Sequence, residues 1–444
     1  MARNTTTFLV LKQLFNQSIG DDLEFDTTTN ITTNNSILST TLNQFDDGED
    51  DHFNTWWVYI TEGVNITKSR KISDYATSGG TLTVYGAALA AESAAVTCRL
   101  TRYNPDHAKQ ALIRACEEIY PTLFKSIDDQ TLITGNIVPD ASFEEWSSAS
   151  ALKWWTANGG GTLAQTTTAG LYRGQLGSTS MKYTAGAAND YVYVSSKSYP
   201  RLLDLMGKTI DGYLWVYPQT ANDGYLEFYT INAAGSTQTL TSTTANPLGT
   251  WTEIKHEDQT LNDDLVEVQI RCKIATNGQY AYFDDLYVNG MRLDEYLLPE
   301  DFFNGHLSEV HLQRTGYSDP AAYDLHPFID QYKDRGLVFD IVDDGTYVYL
   351  KLLDGAPSNS RRLRLQGFKP LETLSADADT LTLDAHRIPL LIAKAREIFF
   401  EREEMPVSAE DTSRFQYGYK KAIYDYNRLF YKLRMAKPVE LVKT

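Results

Sequence analysis

Two histidines are the first candidates for metal chemistry, because His306 and His311 frame the segment HLSEVHL. A spacing of five places them on opposite faces of a strand, and about 140° apart on a helix, so we do not expect them to share a metal ion. The three cysteines, Cys98, Cys116 and Cys272, are too few and too scattered for a disulfide framework or a thiolate zinc site. We therefore predict that they are buried, reduced thiols.

The acidic segment FDDGEDD, residues 45–51, has the composition of a calcium-binding loop. If Gly48 were the turn glycine of such a loop, Asn43, Phe45 and Asp47 would occupy ligand positions, and phenylalanine has no ligating atom. The segment is therefore predicted to be a solvated acidic turn. The sequence shows no glycine-rich phosphate loop, Ser-His-Asp set or Cys-x-x-Cys motif, which argues against an enzyme.

The chain of 444 residues is acidic overall, with 58 Asp and Glu residues against 40 Lys and Arg and a formal net charge of −18. Such a surface repels nucleic acid and anionic membranes, so sequence-specific DNA binding is not expected. The apolar run at residues 8–11 is too short for a signal-peptide core, and no segment approaches the roughly 20 apolar residues that span a bilayer. We therefore expect a soluble protein that assembles in a cytoplasm, with no membrane partner.

Residues 1–133 are predicted to form several strands and one helix. From residue 50 the chain runs DDHFNTWWVYITEGVNITKSRKISDYATSGGTLTVYG, in which stretches rich in Val, Ile, Thr, Tyr and Trp alternate with turn residues. This pattern predicts antiparallel strands in a small barrel or sandwich. Asn104 suits a helix N-cap and Pro105 the first helical position, and the apolar spacing that follows predicts an amphipathic helix over residues 105–119.

A second β-rich region is predicted at residues 134–292. It opens with NIVPDASFEEW and continues with DYVYVSS, GYLWVYP, LVEVQIRCKI and YAYFDDLYVNG. Strands at intervals of about 8–12 residues are typical of a β-sandwich. Beyond it, residues 293–444 are predicted to form more strands and then two helices. The predicted fold is mostly β with a few helices: a small β-barrel or sandwich with an α-helical body, interrupted by an inserted jelly-roll sandwich.

The order of segments in residues 1–133 resembles structural proteins of the neck and upper tail of tailed bacteriophages. The resemblance lies in DDHFN, the strand ending in TEGVN, SRKISDY, TLTVYG and RYNPDHAKQALIRACEEIYPTLF, and RLRLQGFKPL looks like a strand-to-loop segment of the same proteins. It implies a head–tail adaptor, a virion protein that forms a dodecameric ring between the portal protein and the tail proteins of the neck. DNA would pass through its acidic lumen without specific binding. The resemblance brings no catalytic motif and no required cofactor.

Residues 134–291 resemble the jelly-roll carbohydrate-binding modules that open with an N-x-x-F-E strand and close with a Y-x-D-D-x-x-V strand. The resemblance implies a structural calcium ion held by Glu144 and Asp284, with Asp140 and Asp285 as weaker candidates, since carboxylate oxygens suit this ion. The alternative is that both residues are solvated acids at strand ends. The same two carboxylates could form a glycosidase acid/base pair, which no surrounding catalytic pattern favours.

Aromatic residues of this region are candidates for glycan contacts, because such modules bind sugars by stacking them on exposed rings. Trp146, Trp154, Tyr191 and Tyr193 are the predicted contacts. The remaining tryptophans of the region, Trp155, Trp215 and Trp251, occur in strands with apolar alternation and are predicted to lie in the core.

The C-terminal segment is basic, unlike the rest of the chain. Residues 414–444 contain eight Lys and Arg residues against Asp425 and Glu440, which gives a net charge of +6. The last helix has a predicted apolar face formed by Phe415, Tyr419, Ala422, Tyr426, Leu429 and Leu433. The other face is either an ordinary solvated surface or a docking surface for the portal. The predicted docking residues are Lys420, Lys421, Arg428 and Arg434, with apolar contacts from Met435 and Val439.

The function predicted from these features is structural: a head–tail adaptor with an outward sandwich, located at the neck of the virion. A receptor-binding or baseplate protein that grips a host glycan is the alternative. A glycan-active enzyme with an accessory module is less favoured.

Overall fold

The computed structural model describes residues 5–29, 31, 35–174, 177–245, 247–303, 306–313, 337–403 and 409–435. The chain divides into two compact units: unit 1 contains residues 1–125 and 370–444, and unit 2 contains residues 126–369. Unit 2 is thus one continuous segment between the two parts of unit 1. It extends beyond the predicted sandwich boundaries of 134–292, because residues 293–369 group with the sandwich.

The first part of unit 1 contains β1 (Thr5–Thr7), α1 (Phe8–Ile19), β2 (Leu23–Asp26), β3 (Ser36–Leu38), β4 (Trp57–Ile60), β5 (Ser69–Ala76), β6 (Thr81–Val84), β7 (Thr97–Thr101) and α2 (Pro105–Glu118). From the boundary onward follow β8 (Lys125–Asp129), β9 (Trp146–Ser148), β10 (Ala151–Leu152), β11 (Thr156–Ala157), β12 (Thr162–Thr166), β13 (Ser180–Thr184), β14 (Asp190–Ser195), β15 (Thr209–Pro218), β16 (Tyr225–Asn232), β17 (Thr237–Thr241), β18 (Thr252–Thr260), β19 (Leu265–Ile274), β20 (Tyr280–Asn289), β21 (Glu295–Leu297), β22 (His306–Leu312), β23 (Phe339–Asp343), β24 (Val348–Leu352) and β25 (Leu363–Lys369). Unit 1 resumes with β26 (Thr380–Thr382), α3 (Ile388–Glu403) and α4 (Ala409–Leu433). Short 3-10 helices lie at Thr40–Gln44, Pro200–Leu205, Glu300–Phe302 and Ala385–Arg387.

Unit 1 has two cores, one under a sheet and one among helices. The antiparallel sheet has the strand order β2-β7-β4-β5-β6-β3 and covers a cluster that includes Phe53 and Tyr75. Helices α1 to α4 share the second cluster, in which α3 packs against both α2 and α4. The predicted helix at residues 105–119 is confirmed as α2, and the Asn104 side chain accepts a hydrogen bond from the backbone N–H of Asp106 as an N-cap.

The last helix, α4, packs on the helical core through the face predicted from its spacing. Ala422 is completely buried. The other five predicted residues of that face pack against the same cluster: Phe415, Tyr419, Tyr426, Leu429 and Leu433. The residues of α4 that point away from this core therefore form its exposed face. None of the helices in the described parts of the chain has the length and apolarity that crossing a membrane requires.

Unit 2 is built around a β-sandwich, as the sequence predicts. Sheet A has the strand order β12-β13-β20-β15-β18, and sheet B has the order β11-β14-β19-β16-β17. Along β15, Ile210, Leu214 and Val216 are completely buried between the sheets. The alternate residues point outward because successive side chains of a strand lie on opposite faces. Residues 293–369 add the three-stranded sheet β21-β24-β23 and the strands β22 and β25; β25 pairs with β22 on one side and with β8 on the other.

The tryptophan predictions are only partly correct. Trp155 is buried in the sandwich core, as predicted. Trp215 and Trp251 were predicted to lie in the core, and this is wrong: both are half-buried. Trp215 alternates with the buried Leu214 and Val216 along β15 and therefore lies on the outer face of sheet A.

The cysteines are buried in the fold, and the histidines of β22 contact neighbouring side chains. All three cysteines are buried, free thiols, which confirms the prediction for Cys98, Cys116 and Cys272. Burial raises the pKa of the Cys98 and Cys116 thiols to about 12. On β22, the His306 ring lies 4.9 Å from the Phe368 ring, and His311 Nε2 lies 3.0 Å from a carboxylate oxygen of Glu309. Each histidine therefore has a partner of its own.

Candidate functional site

The opening segment of the sandwich runs beside its closing strand, β20. The Asn136 side chain donates to the Leu286 carbonyl at 3.0 Å and accepts from the Val288 N–H at 3.1 Å. The Leu286 N–H in turn donates to the Ala141 carbonyl at 2.9 Å. These bonds bring residues 136–146 next to β20, so carboxylates from the two ends of the sandwich sequence become neighbours.

Glu144 is held by backbone amides. Its Oε1 accepts from the N–H groups of Ser178 and Thr179 at 2.9 and 2.7 Å. Gly177 permits this approach, because a Cβ atom on it would lie 2.0 Å from Oε1. The Oε2 atom accepts only a weak bond of 3.4 Å from the Ser178 hydroxyl. Burial raises the pKa of Glu144 despite these donors.

Asp284 and Asp285 are adjacent, buried carboxylates. The two oxygens of Asp284 accept from the backbone N–H groups of Arg173 at 2.7 Å and Asp285 at 2.8 Å. Neither oxygen of Asp285 has a hydrogen bond, and the nearest cation is Arg173 Nε at 3.5 Å. Burial, followed by the Asp285 charge, raises the pKa of Asp284 well above its usual value. Burial also raises the pKa of Asp285 to about 6, although Arg173 opposes this.

Asp140 completes this group of acids, which we call the carboxylate cluster: Asp140, Glu144, Asp284 and Asp285. Its two oxygens accept from the N–H groups of Glu144 at 2.7 Å and Glu145 at 3.2 Å. Burial and the charge of Glu145 raise the pKa of Asp140 well above its usual value. Asp140 and Asp285 have φ angles of 44° and 47°, in the left-handed region that L-residues seldom adopt. Strain of this kind often accompanies a functional site.

The carboxylate cluster fits a calcium ion only in part. Glu144 Oε2 and both oxygens of Asp285 are the oxygens that lack a full set of donors. However, within the described residues there is no group of three or more His, Cys, Asp or Glu side chains arranged to bind a metal. A calcium ion here would therefore need backbone carbonyls or water in addition to the side chains.

A cleft of about 610 Å³ lies beside the cluster, within unit 2. Asp140, Glu144 and Trp146 contribute to its wall, together with Asp129, Glu145, Tyr199, Arg201, Glu295 and Tyr296. Trp146 is half-buried, and its indole N–H donates to the Phe143 carbonyl at 2.8 Å. Of the predicted glycan contacts, Trp146 is thus the one that lines this cleft.

Trp154 belongs to a packed aromatic group. Its indole N–H donates to the Glu145 carboxylate at 2.7 Å. Its ring lies 5.9 Å from the ring of Tyr199 and 5.8 Å from that of Tyr347. These contacts connect the segment that follows β10 with the residue that precedes β24, both within unit 2, so Trp154 has a structural role that the sequence did not indicate.

The other two predicted glycan contacts lie on the outer face of sheet B. Along β14, Val192 and Val194 are completely buried in the core, so Tyr191 and Tyr193 point outward. The strand register pairs Tyr193 with Arg271 of β19, and it pairs Arg271 with Glu227 of β16. Three strands thus contribute to one row of outward side chains.

Arg271 lies at the centre of this row, where two tyrosine rings and a glutamate carboxylate hold its side chain. Its guanidinium carbon lies 3.5 Å from the centroid of the Tyr229 ring and 4.2 Å from that of Tyr191. Its Nη1 donates to Glu227 Oε1 at 2.9 Å. Arg271 and Glu227 are only 7% and 2% exposed, although both are on the outer face of the sheet. We name Tyr191, Tyr193, Glu227, Tyr229 and Arg271 the tyrosine–arginine face.

The polar contacts continue along β19 on both sides of Arg271. Lys273 Nζ donates to Glu227 Oε2 at 2.7 Å. On the other side, Arg271 Nε donates to Gln269 Oε1 at 2.8 Å, and Gln269 Nε2 donates to Glu267 Oε1 at 2.7 Å. Burial alone would raise the pKa of Glu267, but hydrogen bonds from Lys197 and other donors lower it. The face therefore carries a continuous, pre-formed chain of charged and polar groups.

Single motifs do not indicate Glu227, Tyr229 and Arg271, although the strands that carry these residues show a signal. In LVEVQIRCKI, the polar residues Glu267, Gln269, Arg271 and Lys273 alternate with apolar ones. That alternation marks one polar face of β19. What the sequence does not contain is the register that places this face beside Tyr191 and Tyr193.

The predicted docking residues of α4 fall into two groups. Lys420, Lys421, Arg428 and Arg434 are exposed. Met435 is instead engaged within unit 1, because its backbone N–H donates to the Thr122 carbonyl at 2.9 Å. Val439 lies outside the described residues.

Comparisons with known proteins identify no family. No protein-family model and no curated protein matches the chain. Among solved structures, the C-terminal family 22 carbohydrate-binding module of Clostridium thermocellum Xyn10B is 15% identical, covering 35% of this chain and 93% of that one, with a TM-score of 0.29. The CBM22-1 xylan-binding domain of Paenibacillus barcinonensis Xyn10C is 16% identical, covering 36% and 97%, with a TM-score of 0.28.

A phage protein is also among the similar structures. The enzymatically active domain of tailspike protein 4 of bacteriophage CBA120 is 10% identical, covering 35% of this chain and 22% of that one, with a TM-score of 0.26. At these identities and TM-scores the likenesses carry no functional argument. The inferences below therefore start from contacts within this chain.

Proposed function

We propose that unit 2 binds carbohydrate across the tyrosine–arginine face of sheet B. The observation that carries this proposal is the clamped ion pair of Arg271 and Glu227. A buried ion pair contributes little net stability, because the desolvation of both charges offsets their attraction. Its presence on the outer face of a sheet, between two tyrosine rings, is therefore better explained by recognition of a ligand.

The face offers the two kinds of contact that a sugar needs. Tyr191, Tyr193 and Tyr229 supply apolar ring surface together with hydroxyl groups. Gln269 and Lys273, which are half-buried beside the ion pair, would provide hydrogen-bonding groups for sugar hydroxyls, and their contacts with Arg271 and Glu227 already fix their positions. A few pre-arranged polar groups among aromatic rings are characteristic of ligand sites.

Binding of soluble glycans to the full chain tests this proposal. We expect Tyr193→Ala and Tyr229→Ala each to weaken binding at least about tenfold, since each removes a stacking surface. Tyr217→Ala is the matched control, because Tyr217 is a half-buried tyrosine on the outer face of sheet A. Equal losses in all three variants, or no glycan bound by the wild type, would contradict the proposal.

We also propose a virion location, in which unit 1 is the body of a head–tail adaptor. This rests on the sequence resemblance of residues 1–133 and on the fact that the two ends of the chain together form unit 1. A dodecameric ring between portal and tail, with DNA in its lumen, is the assembly that the resemblance implies. A receptor-binding or baseplate protein would use the same glycan face, and a glycan-active enzyme with an accessory module is the less favoured alternative. The shape and location of the chain in purified particles distinguish these possibilities.

The same proposal includes a calcium ion at the carboxylate cluster. Asp284 and Asp285 are buried and Asp140 and Glu144 half-buried, so in their ionised forms these four carboxyl groups would leave an excess of negative charge, which Arg173 and Arg362 offset only in part. The sequence predicts Glu144 and Asp284 as the ligands, but both oxygens of Asp284 already accept backbone N–H bonds. Glu144 and Asp285 would therefore hold the divalent cation, which would neutralise this charge and stabilise the folded state. Excess chelator should then lower the melting temperature of unit 2.

A further inference from the structure

Helix α4 exposes three tyrosines in a line. Tyr417, Tyr424 and Tyr431 are 70%, 68% and 77% exposed, and they follow each other at intervals of seven residues. At 3.6 residues per turn this spacing places them within an arc of about 40°, along roughly 21 Å of helix. We name these three residues the tyrosine stripe. Exposed aromatic rings in a contiguous row are a common mark of a protein interface.

Basic residues flank the tyrosine stripe on both sides. Lys420 and Arg434 fall on one side of the stripe, and Lys421, Arg428 and Lys432 fall on the other. All five are exposed. Among the side chains of α4 that the structure describes, Asp425 is the one carboxylate. It is half-buried and lies 3.2 Å from Arg396 and 3.3 Å from Arg428. The exposed face of α4 is therefore aromatic at its centre and positively charged at its edges.

The acidic turn at residues 45–51, also in unit 1, has the opposite character. Phe45 is 47% exposed, and Asp47, Glu49, Asp50 and Asp51 are exposed around it. The turn has a defined conformation, because Asp47 lies 3.1 Å from His52 and the Thr77 N–H donates to Asp50 at 2.8 Å. The hydrogen bond from His52 lowers the pKa of Asp47, so this group stays ionised. The turn thus offers one exposed ring surrounded by negative charge.

We propose that the tyrosine stripe of one chain docks on the acidic turn of a second copy. Both surfaces are exposed in the single chain, and they match in chemistry: rings meet a ring at the centre, and lysine and arginine meet aspartate and glutamate around it. Apolar and aromatic contacts would supply most of the affinity, while the charges set encounter rate and register. This self-association does not depend on glycan binding by unit 2.

The two surfaces are different parts of one chain, and this determines the kind of assembly. A contact between two unlike patches joins copies head to tail, so it produces a ring if the rotation closes and a filament if it does not. Charge favours a copy of this chain over nucleic acid as the occupant. With −18 for the whole chain and +6 for residues 414–444, residues 1–413 carry −24. That body repels a polyanion but attracts the basic helix of a neighbour.

The experiment is a charge-swap cycle on the full-length chain. Lys420→Glu with Lys421→Glu reverses the helix, Asp47→Lys with Glu49→Lys reverses the turn, and a third chain carries all four changes. Masses are measured by sedimentation over a range of protein and salt concentrations. We expect each single reversal to weaken association at least about tenfold and the combined reversal to restore it. Tyr424→Ser should also weaken association, without any change in charge.

Controls separate docking from folding and from other partners. Lys71→Glu, an exposed reversal on β5, should leave the mass unchanged, and circular dichroism should show the same helix content in every variant. A combined reversal as weak as the single ones would overturn the proposal, and so would a wild-type chain that stays monomeric throughout. Loss of duplex DNA binding on helix reversal, with no change in mass, would assign the face to nucleic acid instead.

Discussion

The two outer faces of the sandwich use the same residue types for different purposes. On sheet A, Arg173 lies 3.4 Å from the centroid of the Trp215 ring, and the Trp251 indole N–H donates to the Gly170 carbonyl at 3.1 Å. On sheet B, Arg271 lies between two tyrosine rings and is paired with Glu227. In the first case the contacts fasten residues 170–173 to the sheet. In the second, the contacting side chains all come from the sheet itself.

The two arginines differ in origin, because Arg173 comes from a loop and Arg271 comes from a strand of the sheet. An arginine that comes from a loop and covers a tryptophan is an element of packing. An arginine that rises from the sheet, and is fixed by neighbours on adjacent strands, is pre-arranged for something outside the chain. The proposal that sheet B binds glycan rests on this distinction.

The largest effect is expected from Arg271→Met on sheet B. This change leaves the buried Glu227 carboxylate with Lys273 as its cation, so we expect the free energy of unfolding to fall by about 3 kcal/mol. Glycan binding should be lost at the same time. Calorimetry of the full chain and glycan titration measure the two effects. Arg271→Lys should lose glycan binding as Arg271→Met does. An ammonium group cannot stack on the Tyr229 ring and also donate to both Glu227 and Gln269, as the guanidinium does.

Glu227→Gln provides a check on this interpretation. It keeps the shape of the side chain but removes the negative charge, so Arg271 would be left buried and unpaired. We expect a comparable loss of stability. If either variant bound glycan as tightly as the wild type, the ion pair would be a structural feature like the contacts of sheet A.

The next effect concerns the carboxylate cluster, of which Asp284 and Asp285 lie in the middle of β20 in sheet A. Asp285 has a pKa of about 6 in the folded chain against 3.8 ordinarily, so folding favours its protonated form. The stability that the protonated Asp285 contributes to the folded chain is fully present below pH 3.8 and is lost as the pH rises through about 6. Asp129, whose pKa burial also raises to about 6, acts in the same direction. Without added metal, unit 2 should therefore melt at a higher temperature at pH 5 than at pH 7.

Asp285→Asn distinguishes a strained apo cluster from a calcium site. If no ion binds, the variant removes a buried charge and should stabilise unit 2 at pH 7 by about 2 kcal/mol. If calcium binds, excess chelator should lower the melting temperature of the wild type, and the variant should lose this response. A wild-type melting curve that is identical with and without chelator would contradict the calcium proposal but not the pH dependence.

Much of the fold could be predicted from local pattern. Helix α2 follows from the N-cap Asn104 and from Pro105, and the sandwich strands follow from alternation at regular intervals. The sequence-based prediction places Trp215 on the core-facing side of β15, which is wrong, because tyrosine, tryptophan and aliphatic residues all suit a buried strand face. The alternation along GYLWVYP indicates the correct side: Leu214 and Val216 share one face of the strand, and Trp215 lies on the other.

The candidate site was less accessible to sequence analysis than the fold. Tyr193 and Arg271 are paired across strands that are 78 residues apart in the chain, and this register depends on every turn between them. The extension of unit 2 to residue 369 also depends on tertiary packing, because β24 and β25 contribute to the same core as the sandwich. Residue type and spacing therefore indicated Tyr191 and Tyr193 but not the arginine between the rings.

A smaller effect is expected from Arg173→Met on sheet A. The change removes the contact with Trp215 and the 3.5 Å interaction with Asp285, while the backbone N–H of residue 173 can still donate to Asp284. At pH 5, where Asp285 is largely protonated, we expect a loss of about 1 kcal/mol and faster proteolysis near residue 173, because a partly buried cation–π contact has roughly this value. Glycan binding should be unchanged. A decrease in glycan affinity would show that this loop, and not sheet B alone, contributes to the site.

The smallest effect comes from matched lysines on the two faces. Lys182 of sheet A lies 4.0 Å from the centroid of the Tyr280 ring, and the structure gives it no ion pair among the described residues. Lys273 of sheet B donates to the buried Glu227 at 2.7 Å.

Lys182→Met should therefore change stability by about 0.5 kcal/mol, the scale of an exposed cation–π contact. Lys273→Met should cost more, because Glu227 would lose one of its two cations. The same substitution thus measures how strongly each face depends on its charges. Unfolding free energies that are equal for the two variants would mean that the network on sheet B is no more tightly coupled than the aromatic surface of sheet A.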